Sequence, residues 1–277
     1  MDQHSWALAA IFASALLHAT WNALLKATRD QGAASVLIVT IAGALTGLLA
    51  LVVGPAAVPT AGWPYIAISG VVEGIYFVSL AAALAHLPLG TAYGLSRGAG
   101  LLIIWPFSIA LFGEHLDLRT AVGAAALSLG LLILIERGNS RRGLVAAVVC
   151  ALSVAAYPLA YKQALVVGVP PYPLFALSLT LSLPVQLVLL RTRRLTRLRA
   201  AMRQTPWRIG VAGVLCAASF LLFLVALEVS GPGRITALRN TSVIFAWLLG
   251  ALASGTWTRR SAVSAVAIAI GAVLLSW

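Results

Sequence analysis

The chain has 277 residues, of which 61% are hydrophobic and only 9% are charged, and its mean hydropathy is +0.99. Soluble domains carry about 25% charged residues, so this composition excludes a soluble domain of ordinary size. The net charge of +12 would suit a nucleic-acid-binding protein, but the arginines lie in short connections between apolar runs, where they act as topology signals. Nucleic acid is therefore not expected as a partner.

Apolar runs and polar breaks, taken in chain order, predict an all-α integral membrane protein with ten transmembrane helices. Runs near 20 residues match the roughly 30 Å hydrocarbon thickness of a bilayer. The breaks carry helix-stopping residues, as in Gly231-Pro232-Gly233. The predicted spans are 5–25, 34–53, 63–85, 89–112, 119–136, 143–162, 172–190, 207–228, 232–253 and 260–277.

The fourth and ninth predicted spans carry the same pattern. Arg97 and Arg239 each lie about eight residues into an apolar run, 142 positions apart. The same offset separates a tryptophan pair and a glycine pair, Trp105 with Trp247 and Gly113 with Gly255. This pattern predicts two five-helix repeats, 1–138 and 139–277. Because five is odd, the repeats face opposite ways across the membrane, which is the symmetry of many secondary transporters.

The distribution of Lys and Arg predicts the orientation of the spans. Connections after odd-numbered spans hold 14 of these residues, and the opposite ends hold 3. Positive residues collect on the cytoplasmic side, so both termini are predicted to lie outside the cytoplasm. The arginine-rich run from Arg191 to Arg208 contributes most to this bias and is expected to attract anionic lipid head groups.

Several segments resemble the repeat unit of the EamA family, which belongs to the drug/metabolite transporter superfamily. The resemblance covers the whole chain through span count, length and both repeats. In addition, His18-Ala-Thr-Trp-Asn-Ala-Leu-Leu-Lys26 resembles a subgroup associated with phosphonate use. The segments that resemble the EamA repeat are Leu87 to Arg97, Pro106, Gly113-Glu114-His115-Leu116 and Gly123 to Gly130 in the first half, and Ala237 to Ala246 in the second.

The resemblance implies a ten-helix carrier for small metabolites in the bacterial plasma (inner) membrane, often an exporter, that works without ATP hydrolysis. It does not identify the substrate, because proteins of one fold act on many substrates. One departure from the repeat is clear, since Gly113-Glu114 becomes Gly255-Thr256 in the second copy. Any role of Glu114 therefore exists only once.

Arg97 and Arg239 are the first candidates for a substrate site. A guanidinium at mid-membrane costs at least about 2.5–3.5 kcal/mol unless it faces a cavity or a partner. One interpretation is that both arginines face a central cavity and bind an anionic group, for which the planar guanidinium is suited. The alternative is structural, with each arginine held by backbone carbonyls or a buried acid.

Glu73 is the acid nearest the middle of any predicted span. One interpretation is that it couples transport to protons by binding and releasing a proton during the cycle. The alternative is a static salt bridge to Arg97. Two arginines and one glutamate give the predicted cavity a net charge of +1, which favours an acid-bearing substrate.

A polar face in the first span supplies further candidates. His18 and Asn22 lie at i and i+4 and so share a face with Trp21 close by. Tyr157 takes the place of Trp21 in the second copy, and Tyr93 lies one turn before Arg97. These side chains are predicted to line the substrate path. The alternative is hydrogen bonding between helices, worth roughly 0.6 kcal/mol for each bond in a membrane.

The sequence carries no motif for ATP binding, metal-dependent hydrolysis or a serine nucleophile, so it does not predict an enzyme, a metal site or a cofactor. The function it favours is secondary transport of a small polar, acid-bearing metabolite, with membrane lipid as the other partner and a monomer or weak homodimer as the working form. Two other functions stay open. The chain could be a lipid or polyprenyl-phosphate flippase, or a membrane scaffold that transports nothing.

Overall fold

The computed structural model describes residues 3–53, 57–115, 117–133, 135, 140–190, 193–245, 248 and 259–276. Across these ranges the secondary structure is helical, with no strand. The expected all-α class is therefore confirmed. The first half of the chain contributes five helices, α1 (Gln3–Lys26), α2 (Gln31–Val53), α3 (Trp63–His86), α4 (Leu89–Phe112) and α5 (Leu118–Ile133).

The second half contributes six described helices. Five of them correspond to predicted spans, and the sixth is a short helix in the arginine-rich connection. Residues 242–245 are also helical. The six are α6 (Arg141–Val166), α7 (Pro171–Leu189), α8 (Arg194–Gln204), α9 (Pro206–Val229), α10 (Pro232–Arg239) and α11 (Arg259–Ser276).

Seven of the described helices, α1–α4, α6, α7 and α9, are long and apolar enough to cross a membrane. Two shorter apolar helices lie within α5 and α11, at Leu118–Ile133 and Ala262–Leu275. Leu and Val side chains cover much of the outer surface, as a lipid-facing surface requires. The chain is therefore a multi-span membrane protein. The count of ten spans stays a prediction, because part of the ninth, 249–253, lies outside the described residues.

The structure differs from the predicted spans at two places. The arginine-rich connection, expected as a loop, forms α8, whose exposed face carries arginines together with Leu195 and Met202. Such an amphipathic helix suits the membrane surface. The predicted span 232–253 is not one helix, because α10 ends at Arg239 and the chain turns at Asn240 and Thr241.

Packing between the halves is reciprocal. Helix α3 packs against α6 and α7, while α9 packs against α1 and α2. A glycine allows the close approach in each case. A Cβ atom on Gly70 of α3 would lie 2.6 Å from Leu181 Cβ of α7, and one on Gly213 of α9 would lie 2.6 Å from Ile41 Cγ2 of α2. Any larger residue at these glycines would push the paired helices apart.

Two lysines make the same kind of contact in the two halves. The ammonium of Lys26, at the end of α1, donates to backbone carbonyls of Leu84 and Leu87 at the end of α3. Lys162 of α6 donates to the carbonyls of Leu227 (2.8 Å) and Glu228 (3.1 Å) at the end of α9. Both lysines satisfy carbonyls that a helix C-terminus leaves without partners.

Candidate functional site

The two buried arginines meet in the centre of the bundle. Arg97 comes from α4 and Arg239 is the last residue of α10, and each is 1% exposed. Both contact the fully buried ring of His18 on α1. Arg239 Nη2 lies 3.0 Å from His18 Nδ1, and Arg97 Nη2 contacts Nε2 on the other side of the ring. One imidazole therefore stands between two guanidinium groups.

The ring of His18 receives more donors than it can accept. The indole nitrogen of Trp21 also points at Nδ1, at 3.3 Å. Guanidinium and indole nitrogens only donate, whereas a neutral imidazole has a single acceptor nitrogen. At most one side of the ring can accept a hydrogen bond, so at least one arginine faces an N–H group. The centre of the bundle therefore has more hydrogen-bond donors than acceptors.

Arg97 has weak polar partners. Its Nη1 lies 3.4 Å from Asn240 Oδ1 and its Nη2 lies 3.4 Å from the Tyr76 hydroxyl. The amide nitrogen of Asn240 in turn donates to the Arg97 carbonyl at 3.3 Å. The guanidinium carbon lies 5.5 Å from the ring centre of Tyr93. Distances near 3.4 Å are at the long end for hydrogen bonds, so apart from its contact with His18 the polar contacts of Arg97 are weak.

Arg239 lies in a tighter, more apolar setting. Its guanidinium carbon is 4.1 Å from the ring centre of Phe220 and 4.3 Å from that of Phe223, which are strong cation–π distances. Nη1 donates to the Tyr157 hydroxyl at 3.0 Å, and Nη2 approaches Ser219 Oγ at 3.4 Å. The third nitrogen, Nε, is buried without a hydrogen-bond partner. Aromatic rings fix the plane of this guanidinium, but its donors are not all used.

The arginines have no acid as a partner within the described ranges, where the single salt bridge joins Arg197 to Asp30. Glu73 on α3 is fully buried, and neither of its oxygens makes a hydrogen bond. The Tyr161 hydroxyl approaches the carboxyl without completing one. The static salt bridge between Glu73 and Arg97, raised above as an alternative, is therefore not formed in this structure.

Two other predicted residues border the cluster. Asn22 lies one turn after His18 and donates to its backbone carbonyl at 2.8 Å, which leaves the side-chain oxygen of Asn22 buried without a partner. The hydroxyl of Tyr93 is also buried without a partner. The structure thus brings Arg97, Arg239, His18, Trp21 and Tyr157 into direct contact and places Asn22, Tyr93 and Glu73 around them.

The sequence analysis missed four side chains of this cluster. Asn240 directly follows Arg239 and could have been noticed for that reason. Ser219, Phe220 and Phe223 lie in an apolar run that gives no local signal. These four touch residues of the other half or of distant helices, so only the folded chain shows their place.

Glu114 links α4 to the start of α10. Its carboxylate accepts from the backbone nitrogens of Gly233 (2.9 Å) and Arg234 (2.8 Å), and the Ser108 hydroxyl also contacts it. The N-terminus of a helix binds negative charge in this way through free N–H groups and its dipole. A Cβ atom on Gly231 would lie 2.3 Å from Glu114 Cδ, so this approach needs glycine.

A second link joins the halves at the opposite end of the bundle. Asp30, between α1 and α2, receives two hydrogen bonds from Arg197 of α8, at 2.7 and 2.8 Å. These bonds from Arg197 hold the pKa of Asp30 below its ordinary value. The side chains are 37% (Arg197) and 33% (Asp30) exposed, so solvent screens much of the attraction.

Residues 141–277 match the model of the EamA-like transporter family. The second half of the chain is therefore similar to this family. In the first half, residues 56–127 match the model named Small Multidrug Resistance protein. The two halves of the chain therefore match different family models.

Individual proteins are also similar to parts or all of the chain. The multidrug transporter EmrE of Escherichia coli strain K12 is 38% identical over 58 residues, which are 21% of this chain and 53% of that protein. The chain thus spans about half the length of this relative. A solved structure described as "Crystal structure of protein" matches 98% of this chain and 96% of its own, at 21% identity and a TM-score of 0.77. That likeness shows a shared fold.

Proposed function

We propose that the chain is a secondary transporter that moves a small polar, acid-bearing metabolite across the bacterial plasma membrane by alternating access. The observation that carries this proposal is the excess of donors around His18. Two buried guanidinium groups share one ring that can accept once, and Arg239 Nε has no acceptor. A carboxylate or phosphonate offers several acceptor oxygens and a negative charge, and so matches what these donors need.

The packing of the helices supports two inverted repeats, 1–138 and 139–277. The exchange of partners between α3 and α9, and the matched glycines Gly70 and Gly213, are what an axis in the membrane plane would produce. The helix break after Arg239 also fits, because carriers of this kind place substrates where helices are interrupted. Many carriers use such an axis to open one central site to either side in turn.

Glu73 supplies the proposed coupling to protons. A charged carboxyl that is buried without hydrogen-bond partners destabilises the protein, so uptake of a proton by Glu73 would remove this unfavourable free energy. Export as the direction, and termini outside the cytoplasm, follow from the family resemblance and from the arginine distribution. The chain acts as a carrier and not as an enzyme, and both halves in one chain let a monomer work.

The closed cluster argues against lipid movement. All of its residues named above are buried, so the described part of the chain shows no side opening for an acyl chain at this depth. A scaffold would show a centre filled by side chains together with a Glu73–Arg97 pair. The centre is filled, but the carboxyl makes no bond to Arg97. Small-molecule transport is therefore the function that these contacts support best.

The test is a thermal-shift screen of detergent-purified protein against small carboxylates, phosphonates, zwitterionic amino acids and cationic amphiphiles. A ligand at 100 times its Kd stabilises the folded state by about 2.7 kcal/mol. We expect stabilisation by the acids in wild type and none in Arg97→Ala or Arg239→Ala. Stabilisation by cationic amphiphiles alone, unchanged in both variants, contradicts the proposal and points to a substrate class like that in the name of EmrE.

Compounds that pass the screen go into proteoliposomes for flux measurements with and without a pH gradient. Accumulation that follows the gradient, and that the arginine variants lose, supports a coupled carrier. Binding without flux under any gradient supports the scaffold.

A further inference from the structure

A cavity of about 350 Å³ lies between the two halves near the end of α1. Its wall includes Arg29 and Asp30 after α1, Ser35 of α2, Gln186 of α7 and Arg197 of α8. None of its lining residues belongs to the cluster around His18. Its volume is in the range of small-ligand sites, which is about 300–1,000 Å³.

Two buried polar groups in this wall have no partner. Ser35 is 2% exposed and Gln186 is 1% exposed. The hydroxyl of Ser35 and the side-chain oxygen of Gln186 make no hydrogen bond. The Gln186 amide nitrogen is occupied, because it donates to Ser182 Oγ at 3.1 Å. Buried polar groups in proteins are nearly always paired, so two orphans on one cavity wall indicate a site for a polar molecule.

The cavity also carries a positive charge. Arg197 and Asp30 neutralise each other, and the remaining guanidinium nitrogen of Arg197 donates to the Leu190 carbonyl at 2.7 Å. Arg29 is exposed and makes no hydrogen bond or ion pair with any part of the chain that the structure describes. Gln31 also lines the cavity, but its amide nitrogen already donates to the carbonyls of Lys26 and Thr28. Besides Gln31, the lining therefore offers an available cation in Arg29, the Ser35 hydroxyl as a donor and the Gln186 oxygen as an acceptor.

We propose that this cavity binds a glycerol phosphate group. The phosphate would lie between Arg29 and the Ser35 hydroxyl, and a glycerol hydroxyl would donate to the Gln186 oxygen. The alanine, valine and leucine side chains of the wall would pack on the carbon chain. This chemistry has two sources, free glycerol phosphate or the head group of phosphatidylglycerol, which the amphipathic helix α8 at the membrane surface would bring near.

The experiment measures binding to the purified full-length chain, and it does not depend on transport or on the central arginines. The free probe is sn-glycerol 3-phosphate, followed by thermal shift in detergent. The lipid probe is phosphatidylglycerol, followed by native mass spectrometry after mixing with phosphatidylcholine as the competing zwitterionic lipid. Binding of either probe supports the shared chemistry, and the arm that responds identifies the source.

Variants test the site. Arg29→Ala and Gln186→Leu should each weaken binding at least about tenfold, since each removes one polar partner of the ligand. Arg259→Ala is the matched control, because it removes one exposed arginine outside the cavity and should leave binding unchanged. No binding of either probe, or equal binding in all three variants, overturns the proposal.

Ser35→Ala separates binding from folding. Because its hydroxyl has no partner in the free protein, its removal should leave the melting temperature unchanged or raise it, while the stabilisation by the probe falls. A structural serine would give the opposite result, a lower melting temperature with an unchanged response to the probe. That outcome also overturns the proposal.

Discussion

The two halves of the chain place an arginine at corresponding positions but surround it differently. Arg97 lies within the continuous helix α4, where it contacts His18 and has long polar contacts with Tyr76 and Asn240. Arg239 ends the short helix α10, where the helix dipole favours a cation, and lies between two phenyl rings. The two halves therefore carry a positive charge at corresponding sequence positions, but different contacts hold that charge in each half. The difference suggests that Arg239 is the fixed part of the site and Arg97 the adjustable part.

Replacing the arginines should cause the largest loss of ligand affinity. Both arginine-to-alanine variants should lose ligand binding, because a charge-assisted hydrogen bond is worth about 1.5–3 kcal/mol, or at least about tenfold in affinity. Lysine should separate them. Arg239→Lys should bind almost as poorly as Arg239→Ala, since an ammonium cannot stack between Phe220 and Phe223 as a flat guanidinium does. Arg97→Lys should keep part of the affinity.

Isothermal titration with an acid from the ligand screen measures these affinities. Wild-type protein should give the highest affinity and the alanine variants the lowest. Equal losses for the two lysine variants would show that the surroundings of the arginines do not matter, and the comparison would fail.

The next effect concerns Glu73 and its counterpart in the second half. An offset of 143 aligns Gly70 with Gly213, and it places Cys216 opposite Glu73. Glu73→Gln removes the carboxyl that is proposed to bind the coupled proton. It should abolish accumulation driven by a pH gradient, while exchange of substrate across the membrane continues. Cys216→Ser should leave both activities unchanged, because the second half carries no carboxyl at this position.

Proteoliposomes with an imposed pH gradient provide the measurement. Counterflow of labelled substrate, without any gradient, serves as the control for binding and movement. Gradient-driven accumulation by Glu73→Gln at the wild-type level would remove Glu73 from the coupling mechanism.

Removing the two tyrosine hydroxyls should have a smaller and unequal effect. The Tyr157 hydroxyl accepts from Arg239 at 3.0 Å, whereas the Tyr76 hydroxyl lies 3.4 Å from Arg97. A hydrogen bond contributes about 0.5–1.5 kcal/mol, so Tyr157→Phe should weaken binding by about 2- to 12-fold. Tyr76→Phe should change it by less than about twofold, because its contact is at the limit of a hydrogen bond. The reverse order of affinities, measured by the same titration, would contradict the distances.

The smallest effect should come from Asp30, which the first half carries between α1 and α2 and which Gly168-Val169-Pro170 in the second half does not replace. Asp30→Asn should lower the free energy of unfolding by about 0.2–1 kcal/mol at pH 7, as for other partly exposed pairs. Because the folded-state pKa of Asp30 lies below its ordinary value of 3.8, this stability is present above that value. It is lost as the pH falls through the lower folded-state pKa.

Thermal unfolding of wild type, Asp30→Asn, Arg197→Gln and the double variant measures the pair as a cycle. The difference between wild type and Asp30→Asn should shrink as the pH is lowered through this range. A difference that persists in acid would mean that Asp30 acts through its shape and not through its charge.

The sequence predicted much of the fold because each helix ends where its apolar run ends. Lys26, Gly113 and Pro171 mark such ends, and the helices stop or start within a few residues of them. The correspondence between Arg97 and Arg239 could also be predicted, because the repeated spacing can be read from the sequence. Their meeting at His18 could not, because three helices from two halves form that contact.

Two local features escaped prediction for physical reasons. Helix α8 was missed because a dense run of arginines has no apolar periodicity strong enough to indicate a helix. The break after Arg239 was missed because Asn240 and Thr241 are neither glycine nor proline, and the turn is held by contacts such as that of Asn240 with Arg97. Contacts between distant parts of the chain accompany both features, Arg197 with Asp30 at α8 and Asn240 with Arg97 at the break.

The single carboxylate at Glu114 has a consequence for kinetics in the proposed cycle. It binds the start of α10 at one end of the bundle, while the second copy has Thr256 at the corresponding place in the sequence. A contact made in only one of two states shifts the resting population toward that state. The apparent affinity measured from the disfavoured side then falls by the fraction of molecules that are competent to bind there. Glu114 can thus make the carrier respond differently to substrate on its two sides, although the gradients alone still set the direction of net flux.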